Sequence, residues 1–308
     1  MQANLFSPAI DYKARALTLL DACDFREALE CLKIAKEIDD HLADLDLLLS
    51  ICRFAQYHGA HAKMTAAKSA ALWHAATEAF QKGDLHFGAL KHLRQIIAHR
   101  LLSGEFTAAG FCAAREQIIH RGVCHLMLGQ WPEAHHALLD LATNHTDSAL
   151  PIHWGYLGDA AYMLNHRHDV NLAYLRLLIS DPHAADVSCL KHPELAQTLR
   201  TLEYENDDQR VARALWPFET WRKKIVHIPS GNTFLLPLVQ RRRSLLGSEL
   251  MLERSQKLQQ FSLCLYVDQS RLHKSINFDA RVEMKTLEPD LFAEYLAEID
   301  RRQREAAR

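Results

Sequence analysis

Residues 115–141 read R-E-Q-I-I-H-R-G-V-C-H-L-M-L-G-Q-W-P-E-A-H-H-A-L-L-D-L, and residues 152–182 read I-H-W-G-Y-L-G-D-A-A-Y-M-L-N-H-R-H-D-V-N-L-A-Y-L-R-L-L-I-S-D-P. Set one above the other at an offset of 36, Gly122 falls over Gly158, Gly129 over Asn165, Ala134 over Val170 and Leu138 over Tyr174. Each unit is an apolar stretch of helical period, a short polar turn, and a second apolar stretch of the same period. Small residues stand where the two helices of a pair touch. A lone helix pair cannot bury both of its faces, so the pattern predicts stacked pairs that share a core.

Outward from this stretch, residues 11–40 form another pair. Tyr12, Ala16, Leu19 and Leu20 share a face, Cys23-Asp24-Phe25 makes the turn, and Ala28, Leu32 and Ala35 take the small, large and small positions. Residues 42–57 are a strongly apolar helix ended by His58-Gly59, where glycine suits a left-handed cap. Residues 64–82 are an Ala-rich helix, Gly83-Asp84-Leu85 a turn, and 85–102 the partner helix, with Gly88 and His92 at the small and large positions. The small positions 28, 88, 134 and 170 lie 60, 46 and 36 apart, which describes a divergent array with an extra helix near 42–57.

Past Pro182 the repeat stops, and residues 183–213 read as helical in their second half. From Trp216 onward, Pro217, Pro229, Pro237 and Ser230-Gly231-Asn232 break the period, predicting a basic loop over 216–243. Residues 239–267 read as one or two helices, and Glu288 onward as a charged helix with a frayed R-R-Q-R-E-A-A-R end. A boundary near 205 separates a repeat domain, 1–204, from a C-terminal helical extension, 205–308.

The repeat resembles the tetratricopeptide repeat, whose signature runs W-x2-L-G-x2-Y, then A-x3-F, then P. Trp154, Leu157, Gly158 and Pro182 match it, Ala161 stands at the Tyr, and Val170 and Tyr174 stand at the Ala and Phe. The resemblance spans roughly residues 9–182. It implies an all-α fold, a right-handed α-solenoid of antiparallel helix pairs, with the helical C-terminal extension appended. It also implies a non-enzymatic protein-binding role, as adaptor, chaperone or assembly factor, with a peptide held in a concave groove lined by first helices.

Carried over residue by residue, that groove holds Lys13, Leu17 and Leu20, then Trp73, Thr77 and Phe80, then Ile119, Val123, Leu126 and Met127, then Asp159, Tyr162 and Met163. The set is mostly apolar, with Met and aromatic side chains that repack around different partners. An apolar or amphipathic segment is the expected ligand, and burial against the next helix is the alternative for each residue. Family members that clamp a terminal carboxylate use Lys and Asn. Lys13, Leu17, Ile119, Val123, Gly155 and Asp159 stand at those places, which argues against a clamp. An apolar groove also resembles that of the small repeat chaperones of bacterial secretion systems.

Composition bounds the other classes. The 308 residues are 48% hydrophobic and 24% charged, an ordinary globular balance, and the net charge of −2 gives no general attraction to nucleic acid or anionic membrane. Charge is uneven: residues 1–50 hold five Lys/Arg against ten Asp/Glu, and 211–260 hold nine against three. Seven scattered cysteines without a C-x-x-C predict buried thiols in a reducing compartment. The absence of a signal-like N-terminus and of a long apolar run predicts a cytoplasmic protein.

The basic segment carries the competing reading. Trp216, Phe218 and Trp221 precede Arg222, Lys223 and Lys224, and Arg241, Arg242 and Arg243 follow an apolar run. Aromatics beside cations stack on bases and grip phosphates, so a regulatory or nucleic-acid-associated role is the alternative. The same cations suit an acidic protein partner, or the tryptophans anchor a cap and the cations are solvated. Among 19 histidines, His120 with Cys124, His135 with His136, and His166 with His168 are close in sequence, but no H-E-x-x-H or C-x-x-C organises them. Capping or solvated histidines, with no metal and no cofactor, are expected. No G-x-S-x-G is present, and Gly155-x-x-Gly158 lacks the strand context of a phosphate loop.

Overall fold

A computed structural model describes residues 7–103, 119–144, 149–230, 237, 252–270 and 274–307. The chain divides into two compact units, residues 1–148 and 149–308. All regular structure among the described residues is helical.

The first unit contains α1 (Pro8–Asp21), α2 (Phe25–Ile38), α3 (Leu45–Tyr57), α4 (Ala66–Gln81), α5 (Phe87–Ser103), α6 (Arg121–Met127) and α7 (Trp131–Asn144). Helices adjacent in sequence pack on one another for α1–α2, α2–α3 and α4 through α7, while α5 also meets α1 and α3. The second unit contains α8 (Pro151–Met163), α9 (Arg167–Ser180), a 3-10 turn (Pro182–Ala184), α10 (Pro193–Glu205), α11 (Gln209–Arg222), α12 (Arg254–Ser270), α13 (Lys274–Leu287) and α14 (Pro289–Ala306). Here α8 packs on α9, and α10 through α14 pack successively, with α11 and α12 also touching α9.

The turns explain why the repeat is legible. Cys23, Gly83, Gly129 and Asn165 all adopt left-handed backbone, at φ of 58°, 82°, 73° and 59°. Each sits five residues before a small position: Ala28, Gly88, Ala134 and Val170. The hydrogen bonds match as well. Gly129 N donates to Leu126 O and Gln130 N to His125 O, and Asn165 N donates to Tyr162 O and His166 N to Ala161 O. Those are paired closures of a Schellman helix end, which satisfies carbonyls that the helix leaves open.

The glycines then let the helices close. A Cβ on Gly122 would lie 2.7 Å from Leu138 Cγ and 3.2 Å from the Ala134 carbonyl, and one on Gly158 would lie 2.7 Å from the Tyr174 ring. The aligned positions are therefore touching positions within each pair.

The expectation of a loop from Trp216 does not hold for residues 216–222, which complete α11 around Pro217. An interior proline costs a helix about 3 kcal/mol. Trp216, Phe218 and Trp221 are all buried, at about 1.5–3 kcal/mol for each large apolar side chain, and Trp216 Nε1 donates to Leu195 O. Burial outweighs the proline. Arg241, Arg242 and Arg243 lie outside the described residues.

Helix α12 forms the centre of the second unit. Leu258, Phe261, Leu263, Cys264, Leu265, Tyr266 and Val267 are buried together with Ser255, Gln260, Ser262, Asp268 and Ser270, so from Leu258 to Ser270 no residue is exposed. Asp268 accepts from Arg281 Nε at 2.9 Å and from the Tyr295 hydroxyl, joining α12 to α13 and α14. The six described cysteines are buried and form no disulfide. Among the described residues, no helix is long and apolar enough to cross a membrane.

Candidate functional site

Within the second unit, the end of α8, the first turns of α9 and α10 and the residues after α11 enclose a cleft of about 530 Å³. Tyr162, Val170, Tyr174, His192, Ile225 and Val226 are among its walls, and Asn165, Arg167, Asn171 and Glu194 are its polar groups. The volume is in the range of small-ligand and side-chain pockets.

Its floor begins at Gly158. Because position 158 has no side chain, the Tyr174 ring lies against α8, and its hydroxyl donates to Asp159 Oδ1 at 2.6 Å. The backbone N–H of Lys191 donates to the same oxygen at 2.7 Å. One buried carboxyl therefore ties α8, α9 and the strand of chain that enters α10. Burial pushes the Asp159 carboxyl up to about 7, against the lowering pull of the Tyr174 and Lys191 hydrogen bonds. Burial, followed by the neighbouring Asp159, also raises the Tyr174 hydroxyl well above its usual range.

The rest of the wall is set by caps. His192 Nδ1 accepts from Leu195 N at 3.4 Å, capping α10, and Pro193 occupies the first helical turn. The His192 ring lies 5.0 Å from Tyr162 and 5.9 Å from Tyr174, both inside the usual spacing of aromatic pairs. Burial lowers the His192 ring below its ordinary range, opposed by Glu194, so it is neutral at pH 7. Asn171 holds the segment after α11: its Nδ2 donates to His227 O at 2.8 Å, and its Oδ1 accepts from His227 N at 2.7 Å.

The residues expected to line a groove are placed unequally. In the first unit Leu20, Trp73, Ile119, Val123 and Leu126 are buried and present no surface. Thr77, Phe80 and Met127 are half-buried. Arg94 lies 5.1 Å over the Trp73 ring and donates to Thr77, and Phe80 faces Phe87 at 6.2 Å. Lys13 Nζ donates to Ala43 O at 2.6 Å. Leu17 is 42% exposed. In the second unit Asp159 is buried beneath the cleft, while Tyr162 and Met163 are 36% and 43% exposed. Tyr162 lines the cleft and Met163 adjoins it in the chain.

The first basic triplet is engaged by the protein itself. Arg222 bonds Glu219 at 2.7 Å and Glu294 at 3.2 Å, Lys223 donates to Thr198 at 3.4 Å, and Lys224 pairs with Glu305 at 2.7 Å. The neighbouring aromatic rings are in the core, so they offer no stacking face. Four of the described histidines stand immediately before a helix: His86 accepts from Gly88 N, His120 from Gly122 N and His192 from Leu195 N, and His166 lies 3.8 Å from Asp169.

Arg167, Asn171, His192, Pro193, Glu194, Ile225 and Val226 are the cleft residues that the sequence did not single out. The run His192-Pro193-Glu194 carries a helix-start signal, but nothing local marks Asn171, whose partner is 56 residues away. Comparison of the chain with protein-family models, with curated proteins and with solved structures returns no match.

Proposed function

We propose that this chain is a non-enzymatic protein-interaction module, a solenoid of tetratricopeptide-like helix pairs that serves as adaptor, chaperone or assembly factor in the cytoplasm. Its ligand is an apolar or amphipathic segment of a partner protein, received in the second unit by the cleft between α8, α9 and α10. One observation carries the reading: exposed Tyr162 lines a preformed cleft of about 530 Å³ in which Val170, Tyr174, His192, Pro193, Ile225 and Val226 stand beside four polar residues, Asn165, Arg167, Asn171 and Glu194. Protein-binding hot spots are of this kind, an aromatic-lined pocket bordered by polar groups.

The test uses the intact chain and a Tyr162→Glu variant in parallel affinity capture from native lysate. Tyr162 is exposed, so the variant keeps its helical signal. Proteins retained by the parent chain and lost from the variant support the assignment. Equal capture by both, or capture of nucleic acid alone, overturns it. A charge at Val123 would not serve, because that side chain is wholly buried and the variant would lose its fold.

A further inference from the structure

We propose that the α8–α9–α10 cleft selects an aromatic side chain of the partner, in a segment that carries a charge of each sign beside it. The inference rests on the protein-binding reading above and names the chemistry of the anchor.

Three observations lead to an aromatic anchor. The cleft already holds an open aromatic arrangement: the Tyr162 and His192 rings are 5.0 Å apart and inclined at 41°, and Tyr174 meets His192 edge-on at 79°. A further ring adds to such a cluster edge-to-face or offset, and the pairing contributes beyond the area it buries. The remaining apolar walls, Val170, Pro193, Ile225 and Val226, are flat or branched surfaces that suit a ring. The floor is also held in place. Tyr174 is tied to Asp159, which also holds the residue before His192, and Asn171 fixes His227 through both backbone groups. A rigid pocket favours a side chain with few rotatable bonds, because less freedom is lost on binding.

The flanking charges follow from the polar groups. Arg167, in the first turn of α9, and Glu194, in the first turn of α10, both line the cleft and are exposed. Neither side chain has an ion pair among the described residues, whereas the basic residues 222 and 224 do. One cation and one anion exposed beside one pocket complement a ligand that carries an acidic and a basic group next to its anchor. A purely acidic or purely basic segment would meet one of them with like charge.

The probes are capped tripeptides with tryptophan or leucine at the centre, flanked by one glutamate and one lysine in either order, or by two glutamines. Binding to the intact chain is followed by NMR of the Tyr162 and His192 ring protons. The tryptophan peptide in its better order is expected to bind about five-fold more tightly than the leucine peptide. The charged tryptophan peptide should lose its advantage over the glutamine-flanked one in high salt, and in an Arg167→Gln, Glu194→Gln variant. Tyr162→Ala should abolish the preference for tryptophan. Equal affinity for tryptophan and leucine, or no binding with the probes in the millimolar range, overturns the proposal. If capture from lysate still depends on Tyr162 while the tripeptides fail, the interaction role stands and the aromatic anchor falls.

Discussion

Asp159, buried beneath the cleft, joins three segments of the second unit through one oxygen atom. Both of its hydrogen bonds land on Oδ1, one from Tyr174 and one from Lys191 N, which leaves Oδ2 to carry a proton. The carboxyl titrates near 7 in the folded protein and at its ordinary 3.8 when unfolded. Between those values the folded state holds a proton that the unfolded state has released. Stability therefore falls as pH rises through that window and levels off above it. Each pKa unit is worth about 1.4 kcal/mol, so this group alone contributes a fall on the order of 4 kcal/mol across the window. Urea unfolding midpoints at pH 5 and pH 8 read the upper part of that fall, about 2–3 kcal/mol. Asp159→Asn keeps an acceptor for both donors and has no proton to release, so its midpoint should lie above the parent's at pH 8 and the decline should flatten. An unchanged slope in the variant would place the titration elsewhere.

At the scale of elements, the C-terminal helix closes the end of α11. Arg302 Nη2 donates to the Trp221 carbonyl at 2.6 Å, and its guanidinium lies 4.1 Å over the Trp221 ring. Glu298 is buried between Arg301 and Arg302 and accepts from both, at 2.7 Å and 2.6 Å. The residues expected to fray are thus engaged up to Glu305, because the open carbonyls of α11 give the arginine a partner. Arg302→Ala should cost about 1.5–3 kcal/mol, the value of a hydrogen bond to a charged group with its packing. Lys224 pairs with Glu305 where both side chains are about half exposed, at 51% and 46%, and solvent screens such a pair. Lys224→Ala should therefore move the thermal midpoint much less than Arg302→Ala. An equal loss in the two variants would mean that charge, rather than capping, holds α14. The same contrast shows what the sequence could express. The helix pairs were readable because period, small residues and left-handed turns coincide at fixed spacing, as at Gly129 with Ala134 and Asn165 with Val170. The second half of helix α11 was not, since Pro217 outvotes a core that only the folded chain reveals. Nor was the cleft, whose Asn171–His227 clamp joins residues with no local mark.

For the molecule as a whole, the change of character near residue 205 and the limits of the compact units are different things. Composition shifts where aromatic and basic residues begin, but the shift lies inside the second unit, between α10 and α11. A cut there would separate Trp216 Nε1 from Leu195 O, Arg213 Nη1 from His183 O at 2.8 Å, and Lys223 from Thr198. It would also bare Trp216, which is fully buried, and leave the apolar face of α10 without its cover. A cut at 148/149 leaves each unit its own internal contacts: α8 keeps α9, α10 keeps α11, and α11 keeps α12. The fragment 149–308 should therefore unfold in one cooperative thermal transition with native-like helical signal, and it should retain the ring-proton shifts of Tyr162 and His192. The fragment 205–308 should lack a cooperative transition and bind a hydrophobic dye, since α11 and α12 lose α9 and α10 from one side. Cooperative unfolding of 205–308 alone would return the boundary to the place where composition changes, and would make α8 to α10 part of the preceding array.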